Sequence, residues 1–403
     1  MRNLTIVFFD AGGGHRNAAE ALKTTLEQQA RPWDVQLMNL QEQLDAIDVI
    51  RRATGIRIQD GYNLILRKGW TRPTPHLLVL LRSLVRLYHH QVVSLLEQYW
   101  REHPADLVLS VIPLFNRALG ESLRSAAPQT AFATLLTDMA DCPPHFWIED
   151  ESEFLICGTE RAEQQAFANG HPRHRVFRTS GMILKPKFYQ KPQVDIRTER
   201  ERLCLHPDLP TGIVMFGGHG APVMAEIAER IDAGAADVQQ ILICGHNQKL
   251  CTELASRRTR RPTHVVGFTS NVAYYMALSD FFIGKPGPGS ISEALQFHLP
   301  VILERNHRTM PQERYNTDWV SENRLGIVLH NFKEIASGVE RLLQPDMFAE
   351  LRGNARAYTN RAIFEVPAIL EEVVERHAPA SVPALAGIAM KPGATWAGAS
   401  GLS

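Results

Sequence analysis

Two glycine-rich turns, far apart in the chain, limit the possible folds more than any other feature. The first, Asp10-Ala11-Gly12-Gly13-Gly14-His15, follows the apolar run Leu4–Phe9, and the second, from Gly284 to Glu293, follows Phe281–Ile283. Each is typical of a turn from a buried strand to a helix, where free backbone N–H groups and about half a positive charge attract anions. Two such turns predict two Rossmann-like halves that face each other across a cleft holding an anionic ligand.

The length and composition are those of a globular protein with two domains. The chain has 403 residues, 44% of them hydrophobic and 21% charged, and its formal net charge is zero. The zero net charge gives no electrostatic reason to expect a nucleic acid partner. Five cysteines without a C-x-x-C motif fit a reducing cytosol. No apolar stretch reaches the length of about 18 residues that a membrane span needs, and Leu4–Phe9 is interpreted as a strand, not a signal peptide.

Short apolar runs alternate with helical stretches through most of the chain. The runs of the first half are Leu4–Phe9, Val35–Asn39, Leu107–Ser110, Thr134–Thr137, Glu153–Cys157 and Val176–Thr179. Those of the second half are Gly212–Phe216, Gln240–Cys244, His264–Val266, Phe281–Ile283 and Val301–Leu303. Buried strands separated by helices indicate an α/β protein, and two series predict two doubly wound parallel sheets.

Composition also predicts the domain boundaries. Residues 1–185 form a first domain and residues 210–355 a second, and the stretch 186–209, rich in proline and charge, is the predicted linker. Residues 356–377 are expected to form helices that cross back to the first domain, with a kink at Pro367. Residues 378–403, rich in alanine, glycine, proline and serine, are predicted to be a disordered tail.

The stretch from His76 to Arg101 has two interpretations. Its leucines and valines are interrupted by arginines and histidines, and Arg67, Lys68, Trp70 and Arg72 precede it. Such an amphipathic helix can dock on anionic lipid. It can equally be a core helix whose arginines extend their charged ends to water, and the sequence alone favours this second interpretation.

The first glycine-rich turn offers a candidate general base. Three glycines let the backbone approach a ligand, and His15 is expected in the first turn of the next helix, facing the cleft. A neutral imidazole with a pKa near 6.5 can take a proton from a hydroxyl group. The alternative, a histidine that only caps the helix, stays open. The dinucleotide fingerprint G-x-G-x-x-G is absent.

The second half carries two candidate phosphate turns. The N–H groups of Gly217-Gly218-His219-Gly220 can cradle a diphosphate, although such a turn also serves tight packing. In the turn from Gly284 to Glu293, Gly287 and Gly289 open the backbone and Ser290 is a candidate helix cap. Glu293 can accept hydrogen bonds from ribose hydroxyls, or it can form a capping box with Ser290. The P-loop motif is absent.

Two further polar groups lie after apolar strands. Gln312, Glu313 and Asn316 are predicted on a loop, where they can hold the O3 and O4 of a hexose or only face solvent. Asp138 comes after Thr137 at the carboxyl end of a strand, which is the cleft side of an α/β sheet, so it can share the role of base or cap the next segment. No Asp-x-Asp occurs, so a metal-bound diphosphate is not expected.

Taken together, these motifs resemble the two-domain, metal-independent GT-B glycosyltransferases of the monogalactosyldiacylglycerol synthase and MurG type. The order and spacing of the glycine turns, Thr137-Asp138 and Gln312-Glu313 carry the resemblance, which runs from Leu4 to about Leu343. It is nearest to the diacylglycerol sugar transferases, and it includes Gly61-Tyr62-Asn63 and Trp70 in the region that this family uses for its lipid acceptor.

The resemblance implies a role for each candidate residue. His15 would be the general base on the acceptor hydroxyl, with Asp138 as its rival, and Gly13 and Gly14 would help to bind the UDP-sugar. The donor residues would be Gly217, Gly218 and Gly220 at the diphosphate, Phe268 and Thr269 at the uracil, Gly287, Gly289, Ser290 and Glu293 at the ribose turn, and Gln312, Glu313 and Asn316 at the sugar. Lys185 stands where the family has an arginine near the nucleotide, and Phe216 replaces a small residue, so both put the donor's identity in question.

The implied function is that of an inverting hexosyltransferase that moves a sugar from a UDP-sugar to a lipid, with diacylglycerol as the expected acceptor. No metal or other cofactor is expected, and the partners are the UDP-sugar, the lipid and an anionic membrane surface. The implied location is cytoplasmic and peripheral at the inner face of the cell membrane. A UDP-sugar 2-epimerase of the same fold and a non-catalytic binding protein are the alternatives. The sugar, the acceptor lipid and the oligomeric state stay open.

Overall fold

The computed structural model describes residues 1–10, 13–44, 82–83, 85–149 and 154–377. These residues form two six-stranded sheets in which all neighbouring strands are parallel. The first sheet contains β1 (Arg2–Phe8), β2 (Trp33–Asn39), β3 (Leu107–Ser110), β4 (Ala131–Leu135), β5 (Phe154–Cys157) and β6 (Val176–Arg178). The second contains β7 (Thr211–Met215), β8 (Gln239–Ile243), β9 (Thr263–Val266), β10 (Phe281–Gly284), β11 (Val301–Glu304) and β12 (Gly326–Leu329). The predicted doubly wound α/β class is confirmed.

Helices connect the strands on both faces of each sheet. Those of the first half are α1 (Gly14–Gln28), α2 (Leu40–Leu44), α3 (His89–Glu102), α4 (Asn116–Ala126) and α5 (Glu160–Ala168). The others are α6 (Ile196–Arg202), α7 (Val223–Ala233), α8 (Gln248–Ala255), α9 (Val272–Ala277), α10 (Pro288–Gln296), α11 (Pro311–Glu322), α12 (Ile335–Leu342), α13 (Pro345–Ala357) and α14 (Ala362–His377). Gly12, Gly61-Tyr62-Asn63, Trp70 and the tail 378–403 lie outside the described residues.

The strand order places the glycine turns at corresponding points of the two sheets. The first sheet runs β2-β1-β3-β4-β5-β6, so the chain changes direction between β1 and β3. The second runs β12-β11-β10-β7-β8-β9 and changes direction between β7 and β10. Connections leave such a pair of strands on opposite faces of the sheet, which opens a crevice at the carboxyl ends of the strands. The first glycine-rich turn comes after β1, and the two turns of the second half come after β7 and β10.

The last helix joins the two halves. The buried side chains Ile363, Val366, Leu370 and Val373 of α14 pack in the same apolar cluster as Leu4 and Ile6 of β1. The segment before it is held by hydrogen bonds, since Asn360 Nδ2 donates to the carbonyl of Met182 at 2.8 Å. The C-terminal helix therefore packs on the first sheet although it comes after the second one in sequence.

The structure corrects three predictions of secondary structure. β12 was not predicted, although its sequence, Gly326-Ile327-Val328-Leu329, is a short apolar run like those of the other strands; it is a four-residue strand at the edge of the sheet. β4 ends at Leu135, so Thr137 lies beyond it rather than in it. The predicted linker 186–209 contains α6, and its Phe188 and Leu205 are buried in the second core cluster, so this segment is part of the packed structure.

Candidate functional site

A cavity of about 710 Å³ lies between the carboxyl ends of the two sheets. Both halves line it: Gly14, His15 and Asp138 come from the first sheet, and Gly217 and Glu313 from the second. The cavity therefore joins the two crevices that the strand orders create.

His15 is held as a neutral base. It lies in the first turn of α1, and its Nδ1 is 2.8 Å from the carbonyl oxygen of Val111, directly after β3. A carbonyl only accepts, so Nδ1 carries the hydrogen and Nε2 keeps its lone pair. Thr137 Oγ1 lies 3.2 Å from the same Nδ1. Burial lowers the pKa of His15 to about 4, so the imidazole is neutral at pH 7. Gly13, with φ of 80°, occupies the N-cap position, so His15 does not cap the helix.

Trp147 contacts both Asp138 and His15. The fully buried Trp147 donates its Nε1–H to Asp138 Oδ2 at 2.9 Å, and its ring centroid lies 5.8 Å from that of His15. The loop that carries Trp147 is fixed by Asp141, whose carboxylate accepts the backbone N–H groups of residues 145, 146 and 147. Burial raises the pKa of Asp138 to about 7, and the hydrogen bond from Trp147 opposes that rise only in part.

The turn after β7 combines open backbone with tight packing. Gly217 has φ of 69° and lines the cavity together with Gly218, where an added Cβ would meet nothing within 4 Å. Gly220 has a different role, because a Cβ there would lie 2.3 Å from the carbonyl oxygen of Cys244. Phe216, which was expected to affect the donor, packs edge-on against Phe332 at 5.6 Å between ring centroids.

The turn after β10 corrects the predicted capping. α10 begins at Pro288 with Gly287 as its N-cap, so Ser290 is already inside the helix and donates its Oγ–H to the carbonyl of Gly287 at 3.3 Å. No side chain caps this helix, and the capping box of Ser290 and Glu293 is absent. Glu293 instead lines the cavity. Burial raises its pKa to about 7 against the opposing effect of Lys187 and Lys185.

The polar cluster at residues 312–316 lies on a helix and not on the predicted loop, and the alternative in which it only faces solvent is wrong. Gln312 and Glu313 are in the first turn of α11, are almost completely buried and line the cavity. Gln312 Oε1 is a buried oxygen without a hydrogen-bond partner, which suits it to bind a donor group of a ligand. Asn316 is fully buried and does not line the cavity; its Nδ2 donates to the carbonyl of Pro286 at 2.7 Å and supports the turn from below.

Aromatic and basic groups lie around the loop that follows β9. Phe268 is 61% exposed, lines the cavity beside Thr269, and stacks on His246 with 3.9 Å between ring centroids. Lys187 donates a hydrogen bond to the carbonyl of Ser270, which lies in the same loop as Phe268. Lys185 lines the cavity and pairs with Glu20 of α1 at 3.3 Å.

The first-domain end of the cavity is apolar. Its lining includes Phe9, Leu44, Val85, Tyr88, Val92, Leu114, Phe115 and Phe146. Within the stretch that had two interpretations, α3 buries Val92, Leu96 and Trp100 on one face, as a core helix does, while Leu87 just before it is 69% exposed.

Within the described ranges no helix is long and apolar enough to cross a bilayer. The same ranges contain no group of three His, Cys, Asp or Glu side chains placed to hold a metal ion.

Sequence comparison shows which family of domains the second half of the chain resembles. Residues 212–371 match the model of the glycosyltransferase family 28 C-terminal domain. Monogalactosyldiacylglycerol synthase 2 of Arabidopsis thaliana is 27% identical over 94% of this chain and 82% of its own length. A probable monogalactosyldiacylglycerol synthase 2 of Oryza sativa subsp. japonica is 27% identical over 84% of this chain and 73% of its own. The chain is a UDP-glycosyltransferase. The resemblance stated from its motifs is confirmed.

Solved structures place the transferase in the GT-B fold. MurG of Acinetobacter baumannii superimposes with a TM-score of 0.61 at 12% identity, over 92% of this chain and all of that one. A putative UDP-N-acetylglucosamine 2-epimerase of Listeria monocytogenes gives 0.59 at 12% identity, over 93% and 97%. Transferases and epimerases therefore share this architecture, so the fold alone does not distinguish them.

The structure brings most of the predicted site residues of the transferase together. The cavity lining includes Gly14, His15, Asp138, Lys185, Gly217, Gly218, Phe268, Thr269, Gly287, Gly289, Ser290, Glu293, Gln312 and Glu313. Gly13, Gly220 and Asn316 are not part of it. Sequence reasoning missed Trp147 as a partner of Asp138, and it missed Lys187 and Lys285. Lys285 lies inside the recognised turn from Gly284 to Glu293, and Lys187 lies two residues after Lys185, so a position in or beside a recognised motif was the signal available for them.

The raised pKa of Asp138 predicts that ionisation of this carboxyl group lowers the stability of the folded protein. Between about pH 4 and 7 the folded protein binds a proton at Asp138 that the unfolded chain has released, so this contribution to stability is lost as pH rises through that range. Asp138→Asn keeps an acceptor for Trp147 but carries no charge. We expect the stability of the variant, relative to wild type, to increase by about 2–3 kcal/mol between pH 5 and pH 8.

Urea unfolding at several pH values measures this difference. The matched control is Asp34→Asn, which removes a carboxylate from an exposed position of β2. A pH dependence for Asp138→Asn that is no larger than that of this control would contradict the raised pKa.

Proposed function

We propose that the transferase moves a hexose from a UDP-sugar to a lipid acceptor, that the acceptor is diacylglycerol, and that the anomeric carbon is inverted. One observation carries the proposal: the cavity is apolar at its first-domain end, polar and lysine-bearing at its second-domain end, and has a neutral imidazole between them. A lipid hydroxyl and a sugar diphosphate can therefore meet at His15. The sequence relatives, which are named as monogalactosyldiacylglycerol synthases, support the same acceptor class.

In this mechanism His15 acts on the acceptor hydroxyl. Nε2 takes the proton as the hydroxyl oxygen attacks the anomeric carbon, and the bond from that carbon to the diphosphate oxygen breaks, so the electron pair leaves with UDP. Attack from the side opposite the diphosphate converts an α-linked donor into a β-linked product. The hydrogen bond from Nδ1 to Val111 fixes the tautomer that this step requires.

The donor side supports a mechanism without a metal ion. Lys185, Lys187 and Lys285 line the cavity, and the N-terminus of α10 faces it through Gly287. Ammonium groups and a helix N-terminus both stabilise the charge that develops on a departing diphosphate.

The proposal includes binding of the enzyme to a membrane surface. Arg86, Leu87 and His90 are exposed close to Val85 and Tyr88, which line the apolar end of the cavity. A basic surface with an exposed leucine favours an anionic membrane, so we place the protein at the cytosolic face as a peripheral enzyme. The acceptor lipid would then enter the cavity from the surface on which the protein docks.

A panel of UDP-sugars tests the proposal. UDP release is measured for each sugar with and without diacylglycerol in anionic vesicles, and each assay is repeated with EDTA. We expect release with one preferred sugar, dependence on diacylglycerol and no loss with EDTA. Conversion of UDP-sugar isomers without acceptor would instead indicate an epimerase, and UDP binding without turnover would indicate a binding protein. Loss of activity with EDTA and its recovery with Mn²⁺ would contradict metal independence.

The pH dependence of the rate separates the two candidate bases. With a pKa of about 4, His15 stays neutral down to about pH 5, whereas a base with the pKa of Asp138, about 7, is half protonated at neutral pH. We therefore expect kcat/KM for the acceptor, at saturating UDP-sugar, to stay level from pH 8 to pH 5.5. A decline that begins near pH 7 and is abolished in Asp138→Asn would assign the base to Asp138. Saturating donor removes the separate effect of Glu293 on donor binding.

A further inference from the structure

Lys285 is the first residue after β10 and has an acidic partner in the site. Its Nζ donates to Glu313 Oε1 at 2.9 Å. The Glu313 side chain is 8% exposed and the Lys285 side chain 40% exposed, so the carboxylate is enclosed while the ammonium group can still reach the cavity. A buried carboxylate without a partner is costly, and the pairing with Lys285 lowers that cost.

The same lysine lies beside both phosphate turns. β7 and β10 are neighbours with Met215 opposite Gly284, so the residues after them, Gly217 and Lys285, lie close together. A Cβ added at Gly217 would lie 3.9 Å from Lys285 Cε, and one added at Gly287 would lie 3.5 Å from it. The ammonium group therefore starts from a position between the two turns that offer backbone N–H groups to a diphosphate.

The local charges make the pair responsive to an anion. Asp138, from the opposite domain, interacts with both members: the negative charge of Glu313 raises the pKa of Asp138, and the positive charge of Lys285 lowers it. A diphosphate would bring two further negative charges to the Gly217 turn. Because a lysine ammonium group rotates freely on a flexible stem, it can follow the stronger anion.

We propose that Lys285 changes partner when the donor binds: its ammonium group leaves Glu313 for the diphosphate, and the freed carboxylate of Glu313 accepts hydrogen bonds from the hexose hydroxyls. The proposal rests on the proposed function in that the donor is a sugar diphosphate. UDP without a sugar must break the pair and leaves Glu313 without a new partner. The exchange therefore makes the enzyme favour the intact donor over the product UDP.

Calorimetric titration with UDP tests the exchange in four proteins and one control. In Glu313→Gln no ion pair has to be broken, so we expect UDP to bind about tenfold tighter than to wild type. In Lys285→Met, UDP should bind more weakly by a factor of about ten or more. The double variant should bind UDP no more tightly than Lys285→Met, because it has no lysine that the replacement of Glu313 could release. Glu226→Gln, which removes one carboxylate from a surface pair on α7, should match wild type.

The double variant separates exchange from simple repulsion between Glu313 and the diphosphate. Repulsion alone would tighten UDP binding by the same factor whether or not Lys285 is present, and that result would overturn the proposal. Equal or weaker UDP binding by Glu313→Gln would overturn it as well. Transfer activity should fall in Glu313→Gln although UDP binds more tightly, since the sugar loses its carboxylate partner. Failure of the wild-type protein to bind UDP would contradict the proposed function instead, and thermal unfolding checks that each variant is folded.

Discussion

The site depends on one constraint of parallel sheets: a strand pair whose connections leave on opposite faces opens a crevice at its carboxyl ends. This chain contains two such pairs, β1 with β3 and β7 with β10, and α14 returns from the second half to pack on the first. The two crevices therefore face each other and form one cavity. The catalytic candidate His15 is tied to that geometry directly, because it lies just after β1 and bonds to the carbonyl at the end of β3.

Burial in the cleft sets the protonation of the groups that line it. Desolvation lowers the pKa of His15 and raises those of Asp138 and Glu293, so the imidazole is neutral and the two acids titrate near neutral pH. In contrast, Glu313 has an ammonium group within hydrogen-bond distance. The cavity thus holds acids whose charge is sensitive to a ligand, which is the condition under which a charged substrate can reorganise its own site.

The fold was predictable because its strands are short, apolar and separated by helical stretches, and the two turns with the strongest glycine signals are those at the switch points. The edge strand β12 is also a short apolar run and was predictable but overlooked, whereas the helix α6 lay in a segment whose charges and prolines resemble a linker. The contacts between individual side chains were harder to predict from the sequence. The interaction of Trp147 with Asp138 depends on the path of a loop that Asp141 fixes, and the pairing of Lys285 with Glu313 joins residues on different elements. Neither can be read from spacing along the chain.

Packing also explains why some glycines and polar residues of the motifs do not touch the cavity. Gly220 is required by the close approach of Cys244, and Asn316 holds the turn that carries Gly287. A motif contains both the residues that meet the ligand and those that support them, and only the packing distinguishes the two.

His15 is the proposed base at the junction of an acceptor crevice and a donor crevice, and this role is tested most directly by measuring kcat and the Kd for UDP in His15→Ala. We expect kcat to fall by a factor of about 10²–10⁴, as for loss of a general base, while the Kd for UDP stays within about twofold of wild type. A variant that keeps its rate, or one that loses UDP binding in parallel with its rate, would contradict this role.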